Sequence, residues 1–202
     1  MKTLLLIGMQ TDFLPGGARE IPGSATLITI VNRLLLVFDE VIAANFSLPA
    51  NHLTFAANHP WRMPRQVIEI EGQPTPLQTM YCVSGSFGAE FAPKLSTEKI
   101  SKVFEMGSEA DGIPHSAFFD GGNPKSTGLR EHLKTNDIAK LFIAGMPLEE
   151  QVAATALEAL GMGIEVVLIH DACLALDESQ KEEIFRKITG HGGKFIHSRE
   201  LS

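Results

Sequence analysis

Residues 140–169 read KLFIAGMPLEEQVAATALEALGMGIEVVLI, and this stretch decides the fold. Lys140 to Gly145 is a short apolar run, the pattern of a strand covered on both faces. Pro147 to Leu160 carries apolar residues at helical spacing and stops at Gly161, a residue suited to a helix C-terminus. Ile164 to Ile169 is a second apolar run. Strand, helix and strand in so short a span predict a right-handed crossover between parallel neighbours.

Outward from that unit the same alternation continues. Leu4 to Ile7, Val41 to Ala44, Lys102 to Glu105 and Lys194 to Ile196 predict further strands. A helix is predicted to open at Ser24, acting as its cap, and to run through Ala25, Ile28, Val31, Leu34, Leu35 and Phe38. Two more are predicted over Thr127 to Thr135 and Glu178 to Ile188. The chain therefore reads as an α/β protein, a three-layer α/β/α domain with a central, mostly parallel sheet. Residues 1–202 form a single domain in this reading. Residues 46–100 are proline-rich and aperiodic, and read as a long excursion with short helical pieces. It is expected to cover the carboxyl ends of the strands, where sheets of this kind bind ligands.

Composition narrows the function classes. Of 202 residues, 44% are apolar and 20% charged, and the net charge is -7. That balance argues against nucleic acid or an anionic membrane as partner. No apolar stretch reaches the length of a membrane span. Two cysteines, Cys82 and Cys173, make no disulfide framework and fit a reducing cytoplasm. GxGxxG after the first strand, the phosphate-binding GxxxxGK[ST], GxSxG and CxxC are all absent. No two of the seven histidines have the i, i+4 spacing of a helical zinc site.

An ordered set of landmarks resembles the nicotinamidase branch of the isochorismatase-like cysteine hydrolases. It comprises Gly8-Met9-Gln10-Thr11-Asp12-Phe13 with Pro15-Gly16-Gly17-Ala18, and Pro49-Ala50-Asn51-His52. Tyr81-Cys82-Val83 with Gly88-Ala89-Glu90-Phe91, then Ser116-Ala117-Phe118-Phe119 and Thr127-Gly128-Leu129, follow in order. Gly145 to Leu160 and Asp171-Ala172-Cys173 close the set, which spans nearly the whole chain. The resemblance implies the isochorismatase-like hydrolase fold. It also implies an Asp, Lys and Cys triad in which the Cys thiolate attacks an amide carbonyl.

At the three triad positions this sequence has Gly8, Met106 and Gln151. Glycine offers no base, methionine no charge, and a glutamine amide is neither nucleophilic nor titratable near neutral pH. The branch's metal ligands, an Asp and two His, fall on Phe46, Leu48 and Tyr81, which make no divalent-cation site. The adjacent landmarks Met9-Gln10, Pro49, Cys82-Val83, Gly107, Gly145 and Val152 hold each register. The family keeps a cis peptide at the position of Met146-Pro147, where it orients an oxyanion hole, and Pro147 suits that bend. Glu149 and Glu150 beside the helix start suit its dipole.

The sequence thus reads as a pseudoenzyme, with no metal and no cofactor expected. Its expected pocket comprises Gly8, Phe13, Phe46, Leu48, Trp61, Tyr81, Met106, Met146, Pro147 and Gln151. Either these side chains fill it as core, or it still takes a small planar ligand stacked on Phe13, Trp61 and Tyr81. A second copy of the chain or an active homologue is the expected protein partner. The alternative is a hydrolase of small nicotinamide-like amides with relocated chemistry, for which Asp12, Cys82, His115, Glu149 and Glu150 are the candidates near the crevice.

Overall fold

A computed structural model describes residues 1–70, 72–121 and 125–201. In chain order the strands are Thr3–Ile7 (β1), Glu40–Phe46 (β2), Val67–Ile70 (β3), Gln73–Pro76 (β4), Ile100–Met106 (β5), Lys140–Gly145 (β6), Glu165–Cys173 (β7) and Lys194–Ile196 (β8). The α-helices are Ser24–Leu34 (α1), Leu129–Thr135 (α2), Ala153–Gly161 (α3) and Lys181–Gly190 (α4).

Six strands make one sheet in the order β5-β2-β1-β6-β7-β8, and every pairing in it is parallel. β1 is central. Leu4, Leu5, Leu6 and Ile7 are wholly buried, as a strand covered on both faces must be. Right-handed crossovers then assign the helices to layers. From β1 the chain steps through α1 to β2 in one direction. From β6 it steps through α3 to β7, and through α4 to β8, in the other. Steps in opposite directions put α1 on one face of the sheet and α3 with α4 on the other. The direction reverses between β1 and β6, and a crevice opens beyond the carboxyl ends of that strand pair.

Several boundaries differ from the sequence reading. β5 begins at Ile100 because β2 pairs with it from Val41 to Phe46, which carries the ladder past the apolar run. β7 runs on to Cys173. Ser24 does not cap α1. Gly23 holds the cap position at φ 83°, and Ser24 is the first helical residue, buried with its hydroxyl unpartnered. The helix ends at Leu34, short of Phe38, whose ring packs edge-on against Phe142. Residues 46–100 contain short 3-10 turns at Ala56–Asn58, Phe87–Ala89 and Thr97–Lys99. They also hold the antiparallel pair β3 and β4, which the sequence reading missed. Its strands are four residues long, and two of the residues in β4 are prolines, a pattern that argues against a strand in sequence. Among the described residues, no helix is long and apolar enough to cross a membrane.

One buried side chain ties the excursion to the sheet. The Gln10 carboxamide accepts from the Phe46 N–H at 2.7 Å and donates to the Phe46 carbonyl at 2.7 Å and the Ala89 carbonyl at 2.8 Å. It joins the segment after β1 to the end of β2 and to the 3-10 turn at Phe87–Ala89. Replacing it by an apolar group strands buried backbone groups, each costing about 1–3 kcal/mol. Gln10→Leu is expected to lower unfolding free energy by roughly 3–5 kcal/mol at unchanged m value in urea titration; a loss under about 1 kcal/mol would refute the tie.

Candidate functional site

The crevice is built from the ends of β1 and β6. Gly8 follows β1 with φ 64°, and its N–H donates to the Ala44 carbonyl at 3.0 Å. The Met146 N–H donates to the Ile7 carbonyl at 3.0 Å, and the Met146-Pro147 peptide is cis, as the sequence reading expects. A Cβ on Gly8 would sit 2.1 Å from the Met146 carbonyl oxygen. Position 8 therefore has no room for any side chain.

Met106 ends β5 in register with Phe46 and is wholly buried. Leu48 is also wholly buried. Phe13, Phe46 and Tyr81 form a ring cluster with centroids 5.5–5.9 Å apart, and Phe55 joins it 6.0 Å from Tyr81. The inner half of the crevice is thus filled with hydrocarbon and aromatic rings. Neither the donor set nor the space suits a divalent cation. Among the described residues, no group of three or more His, Cys, Asp or Glu side chains could hold a metal ion.

Gln151 is 6% exposed. It does not open an ordinary helix. The expected helix over Pro147 to Leu160 begins only at Ala153, after a wide π-type turn over Leu148–Val152 in which Glu150 (φ -112°, ψ -109°) leaves the helical path. Tertiary bonds pull this turn open. The Leu148 N–H donates to the Leu174 carbonyl at 2.7 Å, and the Glu149 carboxylate accepts from the N–H groups of Leu176 and Asp177. Glu150 holds Arg19 through both oxygens, at 2.9 and 2.5 Å.

That Arg19 belongs to the site escapes sequence reading, because its partner lies 131 residues away. Its guanidinium lies 4.8 Å from the Tyr81 ring centroid, and its side chain is 10% exposed. Burial works against its charge, but the hydrogen bonds and charge of Glu150 outweigh that and hold its pKa above the ordinary value. Burial likewise pushes the Tyr81 phenol upward, so it stays neutral.

Of the expected pocket residues, Gly8 lies against Met146 and Phe13, Phe13 packs on Phe46 and Tyr81, Met106 pairs with Phe46, and Tyr81 and Gln151 line one cavity. Trp61 is the exception. It is fully exposed at a left-handed turn (φ 63°) after Pro60, so it stacks on nothing in the crevice. The crevice is neither wholly collapsed nor wholly kept. Its outer part remains as a cavity of about 310 Å³ lined by Arg19, Tyr81, Pro114, Glu149, Glu150 and Gln151 among others.

Among the candidates for relocated chemistry, Glu149 is bonded to backbone N–H groups and Glu150 to Arg19. Cys82 is wholly buried, and burial, reinforced by the charge of Asp12, pushes its thiol far up, so no thiolate forms near neutrality. Asp12 accepts from the N–H groups of Cys82 and Ala18. His115 stands largely in solvent, its Nε2 3.7 Å from Glu158. Burial likewise pushes the Cys173 thiol up to about 12. His52 is a buried structural residue, with Nδ1 against the Thr54 hydroxyl and Nε2 against the Gly112 carbonyl.

Comparison with known proteins places these features. The Isochorismatase domain pattern matches residues 2–200. The nicotinamidase of Acinetobacter baylyi is 30% identical over 199 residues, covering 98% of this chain and 93% of that protein. The nicotinamidase of Escherichia coli is 34% identical over 176 residues, covering 85% and 82%. The solved structure of an Acinetobacter baumanii nicotinamidase pyrazinamidase superposes with a TM-score of 0.91 at 30% identity, covering 99% of this chain and 97% of that one.

Two expectations follow from the geometry. Gly8→Ala forces a side chain into a left-handed backbone and against Met146, and should cost roughly 2–4 kcal/mol in urea unfolding; an unchanged midpoint would show that the backbone gives way. Burial lowers the His52 pKa below its ordinary 6.5. The unfolded chain then binds the proton more readily, so stability is full above that value and falls as pH drops below it. Stability curves from pH 7.5 down to 5 should show this fall, and His52→Gln should reduce its slope.

Proposed function

This chain belongs to the isochorismatase family, in its nicotinamidase branch, and on that premise we propose that it does not hydrolyse amides through a covalent intermediate. It acts instead as a binding protein on a hydrolase scaffold. The observation that carries this reading is the contact between Gly8 and Met146. A general base at this position needs a side chain, and a Cβ there would lie 2.1 Å from a carbonyl oxygen. The missing base joins a neutral amide at Gln151 and a thioether at Met106. Triad members act as a unit, and loss of one or more removes many orders of magnitude in rate. Cys82 offers no substitute nucleophile, because it is buried as a neutral thiol.

The relatives favour a second reading, that of a small-amide hydrolase. At 30% and 34% identity over most of the chain, the nicotinamidases of Acinetobacter baylyi and Escherichia coli make nicotinamide the first substrate to try. Under this reading the rate-bearing groups would be those at the mouth, Glu149, Glu150 and His115.

Ammonia release from nicotinamide and pyrazinamide, at high enzyme concentration and with Cys82→Ala as control, separates the two. The binding-protein reading expects no release above the uncatalysed rate for either protein. Sustained release that is lost in Glu150→Gln or Cys82→Ala would overturn it in favour of hydrolysis.

A further inference from the structure

The long excursion carries the two-stranded sheet of β3 and β4, whose free edges are unlike. The Leu77 N–H donates to the Gln66 carbonyl at 2.8 Å, and Pro74 and Pro76 have no N–H to give. The bonds joining the strands therefore fall on the pairs Gln66–Leu77, Ile68–Thr75 and Ile70–Gln73, and the residues between them turn their backbone groups outward. On β4 those residues are the two prolines, so that edge offers no donor. On β3 they are Val67 and Glu69, each presenting an N–H and a carbonyl. Among the described residues, no strand pairs with this edge. A free edge invites pairing unless it is blunted, and here one edge is blunted and the other left open. The approach to the open edge is apolar and cationic. Trp61 is fully exposed, and Met63 and Val67 are more than half exposed. Large apolar side chains gathered in water mark an interaction surface, and Trp, Met and Arg are the types such surfaces favour. Arg62 and Arg65 are the only Asp, Glu, Lys or Arg residues between positions 41 and 68. Glu69, toward the other end of the strand, is exposed.

We propose that the β3 edge pairs antiparallel with the same edge of a second copy of this chain, giving one continuous sheet across a two-fold axis. Identical strands laid antiparallel set the cationic start of one against the acidic end of the other, so the edge is complementary to itself. The register follows from the same residues. Glu69 opposite Glu69 would oppose like charges. Val67 opposite Val67 would set Glu69 across from Arg65, whose N–H is already given to the Leu77 carbonyl at 2.7 Å. Val67 opposite Glu69 avoids both conflicts. Each such pair exchanges both of its N–H and carbonyl bonds, and Ile68 meets Ile68 of the second copy at the axis. Arg65 then lies diagonally across from the Glu69 carboxylate of the second copy, within reach of a long side chain. This pairing is independent of whether the crevice binds or hydrolyses.

Sedimentation velocity of the full chain at rising concentration tests this. A short pairing is a weak one, so monomer is expected at low micromolar concentration and dimer towards the millimolar range. Val67→Pro removes an outward donor that β4 does not use, and should abolish the dimer while the thermal transition is kept. Arg65→Glu alone and Glu69→Lys alone each set like charges across the axis, and each should weaken association by about tenfold or more. In an equimolar mixture each variant supplies the charge its counterpart needs, so the mixture should associate as the unaltered chain does. A chain that stays monomeric throughout, a dimer that none of the variants weakens, or a mixture no stronger than its components would each overturn the proposal. An edge reserved for the strand of another protein would give the first of these results, and a dimer built on the helices the second. If Val67→Pro does not fold, the mixture of the two charge variants decides alone.

Discussion

The carboxyl ends of β1 and β6 approach so closely that two backbones touch where side chains would normally stand. A Cβ on Gly145 would lie 2.1 Å from the Ile7 carbonyl oxygen, and one on Gly8 would lie equally close to that of Met146. The hydrogen bond from Met146 to Ile7 closes the gap. This approach occurs at the point where the sheet reverses its direction of growth, which is where an open parallel sheet exposes a crevice. The geometry of that crevice follows from it. With Gly8 pressed against Met146, the turn after β6 is directed toward Leu174, and the wide turn bearing Glu149, Glu150 and Gln151 stands over the opening.

The floor of the crevice carries no charged side chain among Met106, Phe46, Leu48 and Tyr81. A carboxylate, an ammonium and a metal ion would each need partners in a dry interior, because an unpaired buried charge is costly. Met106, Phe46, Leu48 and Tyr81 answer this jointly by bringing no formal charge. The ring cluster of Phe13, Phe46, Phe55 and Tyr81 occupies the space and adds aromatic packing. The isochorismatase scaffold keeps its sheet, its helices and its bend at Met146-Pro147 without needing the charges.

Charge appears instead at the rim. Arg19 crosses from the glycine loop to Glu150 at the start of the α3 unit, so one ion pair joins segments that are far apart in sequence. A doubly bonded guanidinium over an aromatic face is a strong and directional contact. It fixes the outer wall of the remaining cavity while the ring cluster fixes its inner wall. The site residues fall into two sets with different work. The buried apolar set preserves the fold, and the rim set gives the opening its electrical character.

The apolar runs by themselves determined the parallel α/β architecture, because period and length report burial directly. The ordered landmarks determined the family, which the domain match over residues 2–200 shows. Local signals failed where distant partners take over. Ser24 reads as a cap, but a left-handed glycine before it does that work. Pro147 to Leu160 reads as one helix, but bonds to Leu174, Leu176, Asp177 and Arg19 open its first turns. Trp61 reads as a stacking ring, but its turn carries it into solvent. The sequence determined which charges are absent from the crevice. Only the tertiary structure decided how far it closes, since that depends on backbone approach at Gly8 and on a pairing of Arg19 with Glu150 that no local pattern encodes.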